Sequence, residues 1–86
     1  MNEDRKIDQD TEFLYKELIC TSASVWFRET NVDIPQTTWS SFLLKIEDLI
    51  SKNKRSSYTR AQVFNEIESV VRRRAQEYAK DIQSPD

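Results

Sequence analysis

The chain has 86 residues, with no glycine, no histidine, one cysteine and two prolines; 33% of its residues are charged and 37% hydrophobic. That length fits one small domain. The composition closes several routes to catalysis. Without glycine there is no Gly-rich phosphate loop or dinucleotide fingerprint. Without histidine there is no Ser-His-Asp or Cys-His centre and no usual zinc site.

The net charge of −2 is unevenly spread. Residues 1–36 carry four basic and eight acidic side chains, and residues 37–86 carry nine and seven. From Lys52 to Arg74 seven basic side chains face only Glu66 and Glu68. That basic block is the one feature that suggests a polyanionic partner. Cys20 is the only cysteine, so an internal disulfide is impossible. It reads as a small buried hydrophobe in a reducing, cytoplasm-like compartment. No apolar run approaches the ~20 residues of a membrane span, so no membrane association is expected.

Three helical patterns follow one another, and the expected fold is an all-α, three-helix domain over residues 10–83. Residues 1–9 read as a polar N-terminal tail and residues 84–86 as a C-terminal one. The first helix is expected over 10–29, with Asp8 and Asp10 supplying capping oxygens. At 100° per residue Leu14, Tyr15, Leu18, Ile19, Val25 and Trp26 form one broad face. Phe13, Cys20 and Phe27, spaced by seven with Ala23 beside them, form a second stripe nearly opposite. A helix apolar on two sides is normally covered on both. Two other helices cannot cover the second stripe as well as the first.

Asn31 to Gln36 breaks the pattern, because Pro35 disfavours helix at Ile34. Val32 and Ile34 are expected to tuck against the core edge. The second helix is expected over 38–51, with Thr37 as its N-cap. Trp39, Phe42, Leu43, Ile46, Leu49 and Ile50 make a single apolar face, and Leu44 points away from it. Trp26 and Trp39 are expected to form a corner of the core. Residues 51–57 read as a basic polar loop.

The third helix, expected over 59–83, has the clearest start. Thr59 and Gln62 make a capping-box pair, and Tyr58 and Val63 sit where a hydrophobic staple would. Val63, Phe64, Ile67, Val70, Val71, Ala75, Tyr78 and Ile82 hold one face. This helix would be ~37 Å long against ~21 Å for the second, leaving an overhang. Zero glycine also fits a chain whose helices lack left-handed stops.

The candidate chemistry is sparse. Arg72, Arg73 and Arg74 are ~100° apart and cannot form one patch. Arg72 is placed to pair with Glu68, and Arg73 with Glu77. Arg74 falls within the apolar face and needs a carboxylate or an interface edge. Lys52, Lys54, Arg55 and Arg60 surround the turn before the third helix, where a helix N-terminus could hold phosphate. Together with Arg72 and Arg73 they are the candidate nucleic-acid contacts, and Arg60, Gln62 and Asn65 could reach base edges. Ser51-Lys52-Asn53-Lys54 matches Ser-x-x-Lys but lacks a pocket-forming context. Glu47 and Asp48 are adjacent carboxylates without a cleft. Asp8, Asp10 and Glu12 resemble the start of a calcium loop but lack its glycine and closing glutamate.

No catalytic, cofactor or metal site is therefore expected. The function expected is a non-enzymatic protein–protein interaction module, an adaptor, assembly or regulatory subunit, assembling as a helical-bundle homodimer or on a larger protein. Its candidate anchors are Phe13, Cys20, Phe27, Leu44 and Arg74. The rival expectation is a small nucleic-acid-binding regulator.

Overall fold

The computed structural model describes residues 9–55 and 57–83. Three helices follow in order: α1 (Gln9–Thr30), α2 (Gln36–Lys54) and α3 (Arg60–Gln83). The expected capping role of Asp8 and the two expected tails lie outside the described residues, except that Gln9 already belongs to α1.

α1 carries Asp10 and Glu12 in its first turn and Arg28 in its last, each complementing the helix dipole. It ends in a left-handed residue, contrary to the expectation drawn from the lack of glycine. Asn31 has φ 65°, and its N–H donates to the Phe27 carbonyl at 2.8 Å. Asparagine tolerates this region better than other residues bearing a Cβ, so it closes the helix where glycine usually would. Thr30 backs up the stop. Its hydroxyl donates to the Trp26 carbonyl at 2.9 Å and accepts from the Val32 N–H at 3.2 Å.

α2 is longer than expected at both ends. Pro35, not Thr37, is the N-cap, with φ −61° and ψ 149°. Its ring fixes φ where the chain enters the helix, and its carbonyl accepts from the Trp39 N–H at 2.9 Å. At the other end Lys52 and Lys54 belong to the last turn rather than to a loop, where positive charge suits the dipole. An Asp48–Lys52 ion pair at 3.4 Å, four residues apart, supports that turn. α2 is therefore about 28 Å long against about 36 Å for α3. The expected overhang shrinks, although Ile82 near the end of α3 is still half exposed.

α3 starts as expected. The Gln62 N–H donates to Thr59 Oγ1 at 3.1 Å, and the Thr59 N–H donates to Gln62 Oε1 at 2.8 Å. Both donors of the capping box are satisfied. Tyr58 packs against the core that contains buried Val63.

The core draws on all three helices: Leu14, Leu18, Val25 and Trp26 from α1, Phe42, Ile46, Leu49 and Ile50 from α2, and Val63, Ile67, Val71 and Ala75 from α3. Trp26 is its centre, edge-on to Phe42 at 5.9 Å and tilted against Tyr78 at 5.1 Å. Its neighbours are thus Phe42 and Tyr78, while Trp39 packs half-buried on the core. Ser22 is also fully buried, its hydroxyl donating to the Leu18 carbonyl at 2.8 Å. Ile34 packs against the core as expected, whereas Val32 is 37% exposed.

Candidate protein-binding face

The expected second stripe of α1 exists and lies in solvent. Phe13 is 60% exposed and Phe27 53%, and Ala23 and Cys20 are exposed between them. This corrects the reading of Cys20 as a buried hydrophobe. The core-facing positions of α1 are taken by Leu14, Leu18, Ser22, Val25 and Trp26. Cys20 points away from all of them.

Part of the stripe borders a groove. Phe13, Lys16, Glu17, Cys20 and Thr21 of α1 line a shallow, open depression closed on its far side by Phe64 of α3. The Arg60 guanidinium sits 5.7 Å from the centre of the Phe64 ring and bonds Glu17 across the two helices. The groove thus has an apolar floor and one ion-paired rim. By sequence pattern Phe64 belongs to the α3 core face, and it does pack half-buried on the core. Its position at the edge of that face, one residue after Val63, is the signal that it could serve both surfaces.

The other two candidate anchors do not join this surface. Leu44 is 68% exposed on α2, with exposed Ser40, Ser41, Glu47 and Asp48 three or four residues away. A single exposed leucine among polar residues is ordinary. Arg74 is exposed, not on the buried stripe. Val63, Ile67, Val71 and Ala75 step by four residues, so the buried line turns about 40° per step and has moved away from Arg74 at that level.

The six candidate nucleic-acid contacts are divided between paired and unpaired groups. Lys52 pairs with Asp48, Arg60 with Glu17, and Arg72 with Glu29 at 3.9 Å. Arg72 therefore binds across to α1 and not to Glu68 as expected, and no Arg73–Glu77 ion pair forms. Lys52 also lies 5.0 Å from the centre of the Tyr58 ring, and Asp48 raises its pKa above the usual lysine value. Lys54, Arg55 and Arg73 are exposed. Lys54 and Arg60 line one depression, which Asp10 shares, but Arg60 and Arg72 are separated by about 18 Å along α3, so the six do not form a single patch.

A second polar cluster serves the fold. Lys45 bonds Glu66 at 2.9 Å between α2 and α3. That bond, helped by the Tyr58 hydroxyl, holds Glu66 below the usual carboxylate range against the opposing effect of its partial burial. Asn53 donates to the Tyr58 carbonyl at 2.9 Å, fixing the α2–α3 connection. Among the described residues no three His, Cys, Asp or Glu side chains gather where they could hold a metal ion. Nor is any described helix long and apolar enough to cross a membrane. No protein-family model, curated protein or solved structure matches the chain.

Proposed function

We propose that the protein is a non-enzymatic helical interaction module that works by self-association, as an adaptor, assembly or regulatory subunit in a reducing compartment such as the cytoplasm. One observation carries this reading. Two phenylalanines, each more than half exposed, lie on one face of a helix whose opposite face already has a full core. Removing such rings from water is worth about 1.5–3 kcal/mol each when burial is complete. A soluble monomer gains nothing by holding them out in line. Histidine-free composition and shallow, open grooves favour binding over chemistry. The nucleic-acid reading is the weaker one, because half of its candidate cations are already paired with carboxylates.

Sedimentation equilibrium tests the proposal. The wild type should form dimers at concentrations on the order of tens of micromolar. The double variant Phe13→Ser/Phe27→Ser should stay monomeric with an unchanged helical spectrum. A wild type that is monomeric throughout, or that binds DNA or RNA in a steeply salt-dependent way, would overturn it.

A further inference from the structure

We infer that the occupant of the α1 face is a second copy of the same helix, running antiparallel, with the two-fold axis passing beside Cys20. This rests on the self-association proposed above and adds the surface and the orientation.

The geometry starts from the spacing. Phe13 and Phe27 are each seven residues from Cys20, and on a regular helix both lie within about 20° of its direction. They stand about 10 Å to either side of it along the axis. A two-fold axis at Cys20, perpendicular to the helix, therefore places Phe27 of the second copy beside Phe13, and the reverse at the other end. Phe27 of the second copy then meets the edge of the groove that Phe13, Cys20 and Phe64 line. The middle of the contact is made of exposed Cys20, Ala23 and Ser24, small enough for two backbones to approach. The Lys16 stem lies opposite Ala23 of the second copy and its ammonium reaches the rim.

Charge selects the orientation. Asp10 and Arg28 are both exposed, and neither makes an ion pair among the described residues. Both lie about 80° to the same side of the Cys20 direction, at opposite ends of the stripe. A perpendicular two-fold keeps that side on the same flank of the pair. Arg28 of one copy then comes alongside Asp10 of the other, twice per dimer. In a parallel pair the flanks exchange, and Asp10 instead meets Glu12 of the second copy, a like-charge contact at both positions. Opposed helix dipoles favour the antiparallel arrangement as well.

Charge reversal and cross-linking test the arrangement together, at low salt where surface charge is least screened. Arg28→Glu and Asp10→Arg should each weaken dimerisation about tenfold, through two exposed ion pairs turned repulsive. The double variant Asp10→Arg/Arg28→Glu should restore it. Each reversal also opposes the α1 dipole, a loss that adds in the double variant, so recovery of dimerisation there cannot come from a more stable helix. A short bifunctional maleimide should join two wild-type chains through Cys20, the only cysteine. Dimers that neither cross-link at Cys20 nor respond to the single reversals would overturn this arrangement and leave self-association standing. Failure of the double variant to recover would overturn the antiparallel orientation alone. A chain monomeric at every concentration would remove both proposals.

Discussion

The two faces of α1 carry similar residues in opposite circumstances. On the inner face Leu14, Leu18, Val25 and Trp26 are at most 4% exposed and meet partners from both other helices. On the outer face Phe13 and Phe27 are bulky and aromatic but stand in water. Trp26 and Phe27 are adjacent in sequence, yet about 100° of helix rotation separates a core anchor from a surface one. Hydrophobicity alone therefore does not decide burial here. The supply of covering surface does, and α2 and α3 supply enough for one face.

The sharpest way to break this contrast is to truncate each of the neighbours. Trp26→Ala should destabilise the fold by about 3–5 kcal/mol, since the removed ring leaves a cavity between Phe42 and Tyr78. Phe27→Ala should change monomer stability by no more than about 0.5 kcal/mol. Urea denaturation of dilute protein reads both. Equal costs would mean that the outer ring is structural after all.

Helix ends give intermediate effects. Thr59→Ala removes the hydroxyl that caps α3 and should cost about 1 kcal/mol by thermal unfolding. Asn31→Ala forces an ordinary side chain into the left-handed stop of α1 and should cost about 1–2 kcal/mol, while Asn31→Gly should be tolerated. If alanine and glycine behave alike at position 31, the stop contributes little to where α1 ends.

The smallest expected effect is a pH dependence of the polar bridge. The bond from Lys45 lowers the Glu66 pKa below the usual glutamate value. Its contribution to stability is therefore present above that value and is lost as pH falls through the folded-state pKa. Glu66→Gln should flatten that part of the acid-unfolding profile by lowering stability slightly at neutral pH, and leave stability at the acid end almost unchanged.

Much of this architecture is legible in the sequence. Helical periodicity located all three helices, both faces of α1 and the α3 capping box, because each depends only on residues within a turn or two of one another. What was not legible depends on the neighbouring helices. Arg72 fits a local Glu68 pair by spacing but finds Glu29 across the bundle instead. Ser22 looked polar, yet it sits four residues from both Leu18 and Trp26 and is buried with its hydroxyl on the Leu18 carbonyl. Arg74 matched the apolar stripe on a helical wheel, but the line of contact between packed helices turns along α3 and leaves it in solvent. The residue type of Cys20 suggests burial, but its seven-residue spacing from Phe13 and Phe27 places it on the exposed stripe. The left-handed stop is hidden in a glycine-free sequence because asparagine supplies it at Asn31.

The measurement that bears most directly on the central claim is a dilution series of backbone amide spectra on the isotopically labelled protein. If the outer face of α1 is where copies meet, the amides that shift with concentration should cluster from Asp10 to Arg28, at Phe13, Lys16, Cys20, Ala23 and Phe27 above all, with a weaker response at Phe64. Shifts centred on Leu44, or on Lys54, Arg55 and Arg73, or no shift at all up to the highest concentration, would contradict it.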